Sequence, residues 1–133
     1  MFEEFVLPYQ IPIIERFGLS YYGCCEPIDK RLHLVKRIPN LRAISVSPWS
    51  NVRFMAEQLG RDYVMCRKPN PALFSAPTWD EDVVRRDLRE AIEASKGCNV
   101  QLVLKDVHTV HHQLWRYGRW VAIAREEIAR VYG

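Results

Sequence analysis

Long apolar runs are missing from this sequence, and none approaches the ~18 residues that a membrane-crossing helix needs. A basic leader is missing too: the chain opens Met1-Phe2-Glu3-Glu4, acidic where a secretory signal is positive. Both absences predict a cytoplasmic protein with no membrane partner. An excess of one charge sign is also lacking. The 19 Lys and Arg residues stand against 16 Asp and Glu, a formal net charge of +3. Bases sit beside acids, as in Arg85-Arg86-Asp87 and Arg125-Glu126-Glu127. Such mixing marks solvated helix faces and argues against a nucleic-acid partner. No Cys-x-x-Cys pair occurs either. The four cysteines are Cys24, Cys25, Cys66 and Cys98, and a cytoplasmic chain keeps its thiols reduced, so no disulfide framework is expected.

The 133 residues, 48% of them hydrophobic and 26% charged, have the composition of one globular domain spanning residues 1–133. Strand-like runs occur at residues 19–23, 42–46, 62–66 and 99–104, each short, apolar and bounded by Gly, Pro, Asn or Asp. They read as near-continuously buried strands of a parallel sheet. Helix patterns follow them near residues 28–38, 51–59, 78–96 and 114–132. The third opens with Thr78-Trp79-Asp80-Glu81, a capping box, and stops at Gly97. An opening helix over residues 2–17 carries Pro8 and Pro12 and is expected to be kinked or split. Strand–helix alternation predicts an α/β fold of four parallel βα units preceded by a helix. Parallel units of this kind make a small open sheet or half of a (β/α)8 barrel. A full barrel takes ~250 residues, so one copy of this chain cannot close it.

In both architectures functional residues gather where strands end. Here those positions are Gly23-Cys24-Cys25-Glu26, Ser47-Pro48-Trp49, Arg67-Lys68-Pro69-Asn70 and Lys105-Asp106-Val107-His108. Thiolate and imidazole suit zinc, so Cys24, Cys25 and His108 form a candidate open site with Glu26 as a possible fourth ligand. The competing reading makes Cys24 and Cys25 two small buried residues at a bend. Asp106 is placed to orient His108 or to act as a base. Lys68 and Arg67 suit an anionic substrate group, or are solvated loop residues, and Asn70 lies in the same loop. Trp49 and Trp79 wall a pocket or simply pack with other aromatics. His111 and His112 would share a face with His108 only if residues 108–112 were helical; otherwise they are exposed loop histidines. His33 reads as structural, and Cys66 and Cys98 as core filler.

The runs EFVLPYQIPIIERFG, SYYGCCEP, AISVSPW, DYVMCRKPNP and LVLKDVHTV resemble the C-terminal half of the uroporphyrinogen decarboxylase superfamily. The resemblance covers nearly all of this chain but about half of a family member. It implies a (β/α)8 TIM-type barrel in the whole protein. The superfamily includes the decarboxylase of haem synthesis and zinc-dependent, corrinoid-linked methyltransferases that methylate thiols such as coenzyme M. In the methyltransferases one strand ends in His-x-Cys-Gly and the last in Ser-Pro-Gly-Cys, which supply the zinc ligands. The first motif falls here at Tyr22-Gly23-Cys24-Cys25 or one residue later, and the second at Lys105-Asp106-Val107-His108. A Cys of the first motif is kept, its His has no counterpart, and His108 stands for the last Cys. The decarboxylase's own Asp and arginines belong to the N-terminal half.

The resemblance thus implies zinc on Cys24, Cys25 and His108, with Glu26 or Asp106 assisting catalysis. Lys68, Trp49 and Asn70 would face the substrate, and a corrinoid would arrive on a partner protein. Open sheet edges predict a homodimer of half-barrels or a complex with a separate N-terminal half. The non-enzymatic alternative is an inactive remnant or subunit whose role is assembly.

Overall fold

A computed structural model describes residues 1–23 and 25–133. The opening helix is split, as its prolines predict. Helix α1 spans Phe2–Phe5 and α2 spans Leu7–Ile14, with Pro8 in the first turn of α2 and Pro12 inside it. Strand β1, Ser20–Tyr22, then leads through a 3-10 turn, Asp29–Arg31, into the one-turn helix α3, Leu32–Val35. Strand β2 is Leu41–Val46 and helix α4 is Val52–Leu59. Strand β3, Val64–Arg67, is followed by short α5, Pro71–Phe74, and long α6, Glu81–Ala94. Strand β4, Asn99–Leu102, precedes the last helix, α7, Trp115–Tyr132.

All four strands are parallel and lie in sequence order, β1-β2-β3-β4. The architecture is therefore α/β with an all-parallel sheet and alternating helices. Register lines Tyr22, Ile44, Met65 and Val100 into one row, and Val46, Arg67 and Leu102 into the next on the same face. That face meets the helices: Ile44, Val46 and Met65 are fully buried with Leu32, Val35, Met55 and Leu59. The opposite face carries Tyr21, Ser45, Cys66 and Gln101, smaller or more polar side chains. Continuous burial holds for the end of β2 and for β3 but not for β1 and β4, where exposure alternates along the strand. The edge position accounts for this, since each outer strand is covered on one side only.

Local chemistry sets the boundaries. Asn51 caps α4 by accepting the Phe54 N–H at 3.0 Å, and Gly60 ends it at φ +51°, a conformation that glycine adopts without strain. Helix α6 starts later than its capping box suggests. Asp80, not Thr78, is the N-cap, its carboxylate accepting the Val83 N–H at 3.1 Å. The preceding residues are held elsewhere, because Arg116 donates to the carbonyls of Phe74, Ala76 and Pro77. A second core forms where α5, α6 and α7 pack, with Phe74, Leu88, Ile92, Trp120 and Ile123 buried. Among the described residues no helix is long and apolar enough to cross a membrane.

Candidate functional site

The carboxyl ends of the strands carry a thiol, an ammonium and a carboxylate around Lys105. Past β4 the chain keeps strand-like pairing for one residue, Val103 N–H donating to the Arg67 carbonyl at 3.0 Å. Lys105 then folds inward, its side chain 10% exposed and its ammonium paired with Asp106. The same ammonium is close enough to Cys25, in the loop after β1, to interact with its sulfur electrostatically. Strands β1 and β4 are the two edges of the sheet, three spacings or roughly 14 Å apart. Their loops nevertheless meet, and Lys105 is the joint. Burial pulls the Lys105 pKa down, but Asp106 and Cys25 more than offset it, so the net shift is upward. Asp106 sits at φ +50°, a left-handed conformation sparsely used outside glycine, so this corner is held by its contacts.

The other candidates divide between that corner and its surroundings. Cys24 lies outside the described residues. Glu26 pairs with Arg31 at 2.6 Å, and Arg31 stands over the Phe2 ring at 5.0 Å, so this carboxylate also braces the opening helix. Trp49 is 66% exposed beside a shallow pocket of about 600 Å³ that also touches Pro27, Lys30 and Arg31. Lys68 is half-buried at the rim, near enough to act electrostatically on Cys66. Burial pushes the Cys66 thiol up and Lys68 works against it. Asn70 is a cap: its side-chain oxygen accepts the Ala72 N–H at 3.0 Å.

His108 is exposed and lines a separate cleft of about 360 Å³ with His112 and Tyr117. His111 and His112 have φ of +50° and +59°, so residues 108–112 form a loop and not a helix. His33 is exposed on α3, and Trp79 packs against Phe74 and Trp115. Among the described residues no group of three or more His, Cys, Asp or Glu side chains converges as a metal site. Arg67 differs from its expected place. It is the last residue of β3, not the loop beyond it, and its strand parity turns it under the helices, where it is 5% exposed. Lys105 was counted on the rim by its position after β4, but the sequence assigned it no role in the site. Its signal was present, a lysine at the end of an edge strand, but its contact spans two loops distant in sequence.

Comparisons of the chain with protein-family models, with curated proteins and with solved structures return no match.

Proposed function

We propose that this chain is the C-terminal half of a uroporphyrinogen decarboxylase-like (β/α)8 barrel whose rim serves methyl transfer to a thiol. One observation supports it above the others. The loops of β1 and β4 meet at the carboxyl ends of four parallel strands through Cys25, Lys105 and Asp106, the place where barrel enzymes carry their chemistry. In this reading the Lys105 ammonium, held by Asp106, is the counter-charge for an anionic group of the thiol substrate. Asp106 accepts the thiol proton. The substrate sulfur then bonds to the methyl carbon while the donor–carbon bond breaks, its electron pair leaving with the donor.

Zinc on Cys24, Cys25 and His108 would supply thiolate activation in such a site. The described donors do not gather around a single point, so no step above is routed through the metal. Metal analysis of protein purified without chelator addresses that part directly. About one zinc per chain, lost in a Cys24→Ser/Cys25→Ser variant, supports the ligand set; absence from the parent removes it.

For the reaction, the chain is incubated with methylcobalamin and 2-mercaptoethanesulfonate and the methyl thioether is followed by mass spectrometry. The expected result is product formation that Lys105→Ala and Cys25→Ser both suppress. Product that survives both variants unchanged would sink the assignment. The second reading is an assembly subunit without activity. What favours it is the exposed apolar side chains flanking β1, Phe5, Tyr9, Ile13, Phe17 and Leu19, which suit a covered edge.

A further inference from the structure

On the helix side of the sheet a cavity of about 630 Å³ opens between α4 and α6. It exists because Ala56 on α4 faces Ala91 and Ala94 on α6, side chains too short to interdigitate across the gap. Arg67 of β3 lies against it. This guanidinium is 5% exposed, donates to the Ser47 carbonyl, and has its Nε buried without an acceptor. Asp87 of α6 lines the same cavity.

Arg67 and Asp87 feel each other's charge, yet among the described residues they form no ion pair. A buried guanidinium with one hydrogen bond is under-satisfied, and an isolated charge away from water is costly. Arg67 and Asp87 therefore border one space without pairing across it. At the cavity walls Glu57, Glu90 and Glu93 outnumber Arg53 and Lys96. That balance opposes a simple anion, while a simple amine leaves the guanidinium unmet. Burial lowers the Arg67 pKa and raises that of Asp87, and each is opposed by the other's charge.

We propose that this cavity binds a small zwitterion of the α-amino-acid type, its carboxylate on Arg67 and its ammonium on Asp87. A planar guanidinium matches a carboxylate through paired hydrogen bonds, and an acid standing beside it supplies the ammonium partner. The volume lies in the range usual for small-molecule sites, roughly 300–1,000 Å³.

Thermal shift and titration calorimetry on the intact chain test this. The probes are L-glutamine, L-leucine and L-lysine, each beside its decarboxylated amine and its deaminated acid. At least one zwitterion is expected to raise the Tm saturably, with its amine and acid analogues binding about tenfold or more weakly. Asp87→Asn keeps the shape of the side chain but removes the charge, and should weaken binding by about tenfold. Ala94→Leu fills the space without touching either charge. It should abolish binding while leaving the ligand-free Tm unchanged or higher. No saturable shift with any of the three zwitterions overturns the proposal. So does equal binding of an analogue, or undiminished binding by Ala94→Leu.

Discussion

Glu127 of α7 pairs with Arg85 of α6 at 3.0 Å, and the Glu127 side chain is 2% exposed. Arg89 and Arg130 reach the same carboxylate at 2.8 and 3.0 Å, so one buried acid ties three bases from two helices. Hydrogen bonding from Arg89, then from Arg85 and Arg130, overcomes burial and holds Glu127 at about 2. Glu81, bonded by Arg119 and Arg85, is also held at about 2. A folded-state pKa below the unfolded value of 4.5 means that the unfolded chain takes up protons first as pH falls. The stabilisation is thus complete above about pH 4.5 and is lost between there and about pH 2. Glu127→Gln should cost about 2 kcal/mol at pH 7, because its loss leaves charged donors short of an acceptor while they keep some water. Urea unfolding at pH 7 and pH 3 measures this. The gap between variant and parent should narrow at pH 3, and a pH-independent gap would contradict the assignment.

Arg116 is fully buried and, among the described residues, its hydrogen-bond acceptors are neutral: the carbonyls of Phe74, Ala76 and Pro77, and the Gln113 side chain at 3.1 Å. The forked guanidinium fixes the turn between α5 and α6, with Trp79 stacked against it at 5.7 Å. A lysine carries the charge but not the fork. Arg116→Lys should therefore destabilise the chain by about 3 kcal/mol, more than an exposed Arg125→Lys, which should be near neutral. A lowered urea midpoint at unchanged slope is the expected signature. Equal midpoints for the two variants would remove Arg116 as the clamp.

Asn70 offers a way to separate capping from substrate contact. Its side-chain oxygen accepts the Ala72 N–H at the start of a helix only one turn long. Asn70→Ala should cost about 1 kcal/mol, and Asn70→Asp should restore most of it, since a carboxylate caps as well as an amide. Chemical denaturation of the three proteins reads this out. If alanine is neutral, the cap contributes nothing and Asn70 is free for another role.

The strands were legible because each is a compact apolar run between breakers, and all four lie within a few residues of where the pattern put them. Strand β3 slipped later because residues 60–62 finish the turn after α4, with the Asp62 N–H donating to the Leu59 carbonyl at 3.2 Å. That slip is what moved Arg67 from a loop into the sheet, and strand parity then buried it. The capping box failed for a similar reason: Arg116, far along the chain, fixes the course of the segment leading into Thr78 through the carbonyls of Ala76 and Pro77, and Asp80 takes the cap instead. Cys25 was legible as a rim residue, but its contact with Lys105 depends on how two edge loops lean together. Short-range pattern carries no such information. Helix faces, caps and breakers are local; the carbonyls that Arg67 and Arg116 bind are not.

The two edges of the sheet differ in a complementary way. In the segment leading into β1, Tyr9, Ile13, Phe17 and Leu19 are all more than half exposed. Beside β4 lies an apolar groove of about 420 Å³ bordered by Val100, Leu102, Val121 and Ile128. Among the described residues, both outer strands also lack a partner strand on their outer side, which favours strand addition. Two chains set β4 against β1 of the other, twice, would cover both edges with one repeated contact. Light scattering at micromolar concentration should then give twice the 15.6 kDa chain mass. Ile13→Glu and Val121→Glu each place a charge on one side of that contact at an exposed position, so each should yield a folded monomer. A parent chain that is already a stable monomer would leave these edges uncovered and end the pairing model.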